Sequence, residues 1–248
     1  MQVGDPFIRH AAYCFQILEG MRTGDFNELG VWPSREPAEV DEPSQETLLG
    51  QIMRWKDLVK KYAAVSKQLD PREMFLLAVA VQRWPGPILE IGTHKGITTC
   101  FIAEVLNLLK RRDLLYTVEL FMQGWKAHNG EDGYPGESYL KALTQFRQQP
   151  VLNRVVPIIG DSHQLKQVFW GIRPTLIFLD GDFSKEGVAD DLLTLRFFNH
   201  PFICVVHQAN VDSVMAAVLD ARATGMYRFA NFHTGAQGDK GLVAITPI

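Results

Sequence analysis

Residues 88–96 read ILEIGTHKG, an apolar run interrupted by one acid, Glu90, and closed by two glycines four residues apart, Gly92 and Gly96. A short apolar run that ends in glycine is a buried strand entering a tight turn. The residues that follow, GITTCFIAEVLNLLKRR (96–112), have the three- and four-residue spacing of a helix with a basic last turn. The alternation continues to the end of the chain. LLYTVEL (114–120), VVPIIG (155–160), PTLIFLDGD (174–182) and PFICVVH (201–207) are strand-like. ESYLKALTQFRQQ (137–149), DSHQLKQVFWGI (161–172), VADDLLTLRFF (188–198) and VDSVMAAVLDARAT (211–224) are helical. YRFANF (227–232) and GLVAITP (241–247) flank HTGAQGDK, whose Gly and Asp content marks a hairpin. The pattern predicts an α/β fold: a doubly wound, mostly parallel seven-stranded sheet with helices on both faces and a C-terminal antiparallel hairpin.

Upstream the texture is helical. QETLLGQIMRWKDLVKKYAAVSKQL (45–69) places Leu48, Ile52, Trp55, Leu58 and Val59 on one helical face. DPRE (70–73) supplies an Asp cap, a Pro at the first helical position and a Glu at the third, opening a helix that carries Met74 to Trp84. An earlier helix is expected around 6–22, and GVWPSREPAEVDEPS (30–44), with three prolines, reads as a surface loop. The expected division is a helical extension over 1–84 and a sheet domain over 85–248.

Composition narrows the function classes. In 248 residues, 46% are apolar and 21% charged, which is ordinary for a globular protein that needs no staples. The net charge of −3 leaves no basic surplus for nucleic acid, and Lys110-Arg111-Arg112 reads as a solvated helix end. Cys14, Cys100 and Cys204 are odd in number and far apart, so reduced thiols and a cytoplasmic location are expected rather than a zinc cage. Nothing approaches 18 uncharged apolar residues, so no membrane span is expected. The N-terminal MQVGDPFIRHAAYCFQ lacks the pattern of a signal peptide.

In a sheet of this kind ligands bind at the carboxyl ends of the strands, near the switch in strand order. The strand ends offer Glu90-Ile91-Gly92, Glu119, Gly160-Asp161-Ser162, Asp180-Gly181-Asp182 and His207-Gln208. A dinucleotide fold wants G-x-G-x-x-G, so that a pyrophosphate can approach the backbone. Here the middle glycine is missing and an acid precedes the turn, which suits a cationic, hydroxyl-rich ligand better than a diphosphate. Glu119, 23 residues beyond Gly96, stands where an acid accepts both hydroxyls of a ribose.

Taken in order, Glu90 to Gly96, Glu119, GDS (160–162) and LDGD (179–182) resemble the successive motifs of class I S-adenosylmethionine-dependent methyltransferases, whose fold is Rossmann-like. DGDFSKEGVADDL (180–192) further resembles the DGDHSYEGV signature of methyltransferase family 24, near the macrocin-type small-molecule O-methyltransferases. The resemblance covers about 85–248. It implies that S-adenosylmethionine is the cofactor. Glu90, Gly92 and the backbone around Thr93 would hold its methionine moiety, and Gly96 would let the next helix pack close. Glu119 would take the ribose hydroxyls with Leu120 beside the adenine, Asp161 the adenine amine and Ser162 the ring edge. Asp180 would lie under the methionine end. His94 stands in the same turn, either at the methionine carboxylate or facing solvent.

The acceptor side follows from chemistry. Methyl transfer is an in-line displacement governed by positioning, and a hydroxyl acceptor must also lose its proton. His207 is the first candidate base and Asp182 the second. In metal-dependent relatives strand five supplies carboxylate or amide ligands to magnesium. His207-Gln208 are poor magnesium ligands, so no metal site is assigned and magnesium is disfavoured. Phe183 and Lys185 replace the His and Tyr of the family signature. His163 is expected in the first turn of a helix, and His10, His128, His200 and His233 on the surface. The loop MQGWKAHNGEDGYPGES (122–138), with Trp125 and Tyr134, reads either as a lid or as an insertion. The expected partner is a small-molecule acceptor, a sugar or a specialised metabolite, with a homodimer contact through the N-terminal helices. Two other readings stand beside it: a cofactor-binding module that has lost transfer chemistry, and an NAD-dependent oxidoreductase.

Overall fold

The computed structural model describes residues 55–66, 68–120, 137–149, 151–164, 171–230 and 240–248. The expected helix at 6–22, the loop at 30–44, the loop at 122–138 but for its last two residues, and most of the N-terminal dimer contact lie outside the described residues. So do His10, His128 and His233.

Seven strands form one sheet: β1 (Ile88–Ile91), β2 (Leu115–Glu119), β3 (Val155–Ile159), β4 (Leu176–Leu179), β5 (Ile203–His207), β6 (Tyr227–Ala230) and β7 (Leu242–Pro247), in the order β3-β2-β1-β4-β5-β7-β6. β1 to β5 pair in parallel, while β7 runs antiparallel to both β5 and β6. The doubly wound sheet and closing hairpin are those expected. Strand order reverses between β1 and β4, and that switch opens the crevice in which such sheets bind ligands.

The helices are α1 (55–63), α2 (Pro71–Arg83), α3 (Ile97–Leu108), α4 (Glu137–Gln148), α5 (Lys185–Leu195) and α6 (Asp212–Ala223). The helical pattern of 45–69 predicts continuation to Leu69, but α1 stops at 63. The Ser66 hydroxyl accepts the N–H groups of Gln68 and Leu69, each at 3.1 Å, offering the backbone a turn in place of a helix. Asp70 then caps α2 through the N–H groups of Arg72 and Glu73, and the Glu73 side chain accepts from Asp70 N at 3.0 Å, completing a capping box. Of the expected helix at 161–172, residues 161–164 and 171–172 are described, and they hold one 3-10 turn, Ser162–Gln164.

β1, β4 and β5 are buried at every position, and their alternating side chains feed two cores. On one face Ile88, Leu115, Phe178 and Val205 meet Trp55, Met74, Leu77, Phe101 and Phe146 from α1 to α4. On the other Leu89, Ile91, Leu179 and Val206 meet Leu192, Leu195, Val214 and Val218 from α5 and α6. The described N-terminal helices therefore share a core with the sheet.

Candidate functional site

The turn after β1 is shaped by its neighbours. Gly92 has φ +96°, and a Cβ there would stand 2.1 Å from the backbone oxygen of Asp180. That glycine is demanded by the adjoining end of β4, which bonds back through Asp180 N to Ile91 O at 2.8 Å. Gly96, at φ +77°, caps α3, and a Cβ would meet the Phe146 ring at 2.8 Å and Ala142 at 3.2 Å. Its lack of a side chain lets α4 lie against the start of α3.

Four buried side chains line up under this turn. Glu90 is wholly buried, and its Oε2 accepts the hydroxyls of Thr117 at 2.6 Å and Thr99 at 2.5 Å. Thr117 sits opposite Glu90 in the β1–β2 register and also pairs with the buried Thr93 hydroxyl. With Thr117 donating to Glu90, Thr93 must donate to Thr117. Glu90 Oε1 is buried with no hydrogen-bond partner. Burial pushes the Glu90 carboxyl up to about 8, against the two hydroxyl hydrogen bonds and helped by the charges of Asp180 and Glu119.

Glu119, at the end of β2, is half-buried. Its Oε2 accepts His94 N and its Oε1 accepts Leu120 N, both at 2.9 Å. This carboxylate therefore faces the β1 turn while keeping lone pairs for a further donor. His94 holds φ +46°, and its Nδ1 lies 2.9 Å from Gln68 Nε2. Burial above all lowers its pKa, with Lys95 adding to the effect, so the neutral ring accepts from the Gln68 amide. Leu120 is 38% exposed beside Glu119. Asp161 and Ser162 follow β3, half-buried, with Asp161 Oδ1 accepting His163 N at 2.9 Å. At Gly160 a Cβ would meet nothing within 4 Å.

Past the switch point, Asp180 is 7% exposed, and its Oδ1 lies 2.5 Å from His207 Nδ1. His207 is wholly buried, and its other nitrogen faces Glu73 Oε2 at 3.5 Å. Asp182 is exposed, and its Oδ1 accepts Ser184 N at 2.8 Å ahead of α5. Lys185 Nζ is paired with Asp220 on α6 at 2.6 Å.

The fold sets the strand-end residues singled out in the sequence along the carboxyl edge of one sheet. It adds Thr99, Thr117, Gln68 and Glu73, which sequence reasoning passed over. Glu73 had a signal, the capping box, but that motif explains only its backbone partner. Among the described residues no group of three or more His, Cys, Asp or Glu suits a metal ion, and no helix is long and apolar enough to cross a membrane.

Residues 89–201 match a family model described as a methyltransferase domain. Solved structures of the same fold include the SAH-bound methyltransferase PaMTH1 of Podospora anserina, with 13% identity, 88% of this chain and 98% of that chain covered, and a TM-score of 0.56. The O-methyltransferase TomG of Streptomyces achromogenes, involved in tomaymycin synthesis and solved with SAM, has 14% identity, 79% and 88% coverage and a TM-score of 0.54. The O-methyltransferase of Bacillus cereus in complex with SAH has 14% identity, 96% and 91% coverage and a TM-score of 0.51. No curated protein matches the chain. At such identities the structural likeness establishes the fold, and the fold is that of the class I methyltransferases. The sequence match over residues 89–201, somewhat less than half of the chain, is a likeness to that methyltransferase-domain family.

Proposed function

We propose that the chain is an S-adenosylmethionine-dependent methyltransferase that methylates a hydroxyl group of a small molecule, a sugar or a specialised metabolite. The observation that carries this reading is the Glu119 carboxylate, turned toward the β1 loop by His94 N and Leu120 N and half open to solvent. A carboxylate so aimed is suited to the paired hydroxyls of a ribose. The unpartnered Glu90 Oε1 fits a cationic ligand group and supports the same reading. O-methyltransferases among the solved structures of this fold support the hydroxyl acceptor.

When bound, the cofactor supplies an electrophilic methyl group on a sulfonium. Residues of this chain then have four tasks. Glu119, Leu120, Asp161 and Ser162 hold the nucleoside end, while Glu90, Gly92, Thr93, His94 and Gly96 form and support the turn at the methionine end. Asp180 closes the site from β4. Proton removal from an acceptor hydroxyl is assigned in this reading to Asp182, and the exposure of its carboxylate just after β4 supports that assignment. The donor set does not fit magnesium, because His207 lies between Asp180 and Glu73 where a cation would need free oxygens.

Calorimetric titration of S-adenosylmethionine into wild type and Glu119→Ala tests the reading. A charge-assisted hydrogen bond of ~1.5–3 kcal/mol predicts about 10–100-fold weaker binding in the variant. No binding to wild type would sink the proposal, and titration with NAD would then decide for the oxidoreductase. Repeating the titration with magnesium and with EDTA reads any metal requirement. A second reading, cofactor binding without transfer, is favoured by the enclosure of His207. It is supported if S-adenosylmethionine binds while no hydroxylated acceptor yields demethylated cofactor.

A further inference from the structure

Glu73 belongs to α2, outside the matched residues 89–201, yet its carboxylate is fully buried at the strand ends. Its Oε1 accepts the N–H of Gly241 at 2.8 Å, just ahead of β7. Its Oε2 accepts the N–H of Asp70 at 3.0 Å and lies 3.5 Å from His207 Nε2. The cap of α2, the end of β5 and the start of β7 therefore meet at one carboxylate. On the far side of the ring, His207 Nδ1 is 2.5 Å from Asp180 Oδ1.

A carboxylate only accepts hydrogen bonds, so a ring whose Nδ1 bonds Asp180 and whose Nε2 is buried without a hydrogen-bond partner, facing Glu73 at 3.5 Å, fits both neighbours best with a proton on each nitrogen. The ring has no access to water, and Phe178 and Phe183 flank it with centroids at 6.1 and 6.4 Å. The titratable groups acting on it are Asp180, just after β4, and Glu73 from α2, and the Asp180 charge also helps raise Glu90 of β1. β7 contributes a backbone N–H. Burial by itself would lower the pKa of the ring, but the charge and hydrogen bond of Asp180 and the facing charge of Glu73 outweigh it, raising it to about 9.

We propose that Glu73 is a positioning residue of the strand-end site: it holds the His207 ring as a fixed cation against Asp180 and so sets the place of the Asp180 carboxylate beside the β1 turn. The consequence for methyl transfer rests on the function proposed above; the three-residue brace does not. In this arrangement His207 braces the site and Asp182 is left as the proton acceptor.

The test is a histidine-ring nitrogen NMR titration of the full chain from pH 5 to 10, with His207→Asn used to assign the His207 signals by their loss. In wild type the ring keeps both protons through neutrality and titrates near pH 9. Titration at or below the ordinary value of about 6.5 overturns the proposal. Glu73→Gln, of the same shape and still able to accept from Gly241, should bring that titration down and weaken S-adenosylmethionine binding by about tenfold, with the circular dichroism spectrum unchanged. An unchanged titration in the variant overturns the brace, and a lowered titration with unchanged affinity overturns the positioning role. Should the variant fail to fold, the wild-type titration still tests the doubly protonated ring on which the brace depends, and Glu73→Asp, which keeps the charge but draws it back from the ring, takes the variant's place with the same two readouts. A wild type that keeps the doubly protonated ring but binds no S-adenosylmethionine removes the methyltransferase reading and leaves the brace standing.

Discussion

A carboxyl group shut away from water holds its proton unless a cation reaches it, and Glu90 is such a group. Its pKa is about 8 in the folded chain, against an ordinary 4.5, chiefly through burial. The sign follows directly. Between those values the unfolded chain has released the proton and the folded one has kept it, so stability declines as pH rises from about 4.5 to about 8. Glu90→Gln should abolish that slope. The ligand-free variant should match wild type near the acid end and exceed it by a few kcal/mol near pH 8, read from urea midpoints at both pH values. Parallel pH dependence in the two proteins would show that Glu90 is ionised when folded. At this scale the acid before the glycine turn was legible in the sequence, as was the acid ending β2. Thr99 and Thr117 were not, because the first reaches Glu90 across a helix start and the second across a strand register that only pairing sets.

Turns and caps carry the next level of information. The DPRE signature predicts the start of α2, and the structure has both halves of its capping box. Asp70→Ala removes the acceptor for Arg72 N and Glu73 N and should cost about 1 kcal/mol, seen as a lower urea midpoint with an unchanged slope. Gly92 was legible as a turn residue, but the sequence suggested a ligand as the reason. The pressing neighbour is instead the Asp180 carbonyl of the adjacent strand. Gly92→Ala combines a left-handed φ with a backbone collision and should cost well above the ~1–2 kcal/mol of conformation alone. Gly225→Ala, at φ +72° with nothing near its Cβ, isolates the conformational part. Equal losses in the two variants, compared by chemical denaturation, would mean that β1 and β4 part easily at their ends. The overlong reading of α1 has a similar origin: apolar spacing continues to Leu69, and the Ser66 hydroxyl stops the helix for reasons the spacing does not contain.

Across the whole molecule, the boundary drawn at residue 84 from texture separates segments that pack as one. Trp55, Met74, Phe75 and Leu77 are in the same buried cluster as Ile88, Leu115 and Phe178, and Glu73 reaches the ends of β5 and β7. A chain beginning at residue 85 would expose that face of the sheet and lose the partner of His207. It should lack a cooperative unfolding transition and bind no S-adenosylmethionine; a truncated chain with a sharp transition and wild-type affinity would refute this. What the sequence determined by itself was the alternation of strands and helices, the closing hairpin and the polar group at each strand end. Those are encoded locally, in residue periodicity and in turn and cap chemistry. Only the tertiary structure decided which groups face one another: Glu90 with two threonines, Asp180 with His207, and His207 with a glutamate from a helix outside the matched domain. Contacts of that kind depend on strand order and on the docking of distant segments, and burial then fixes which of the groups carry charge.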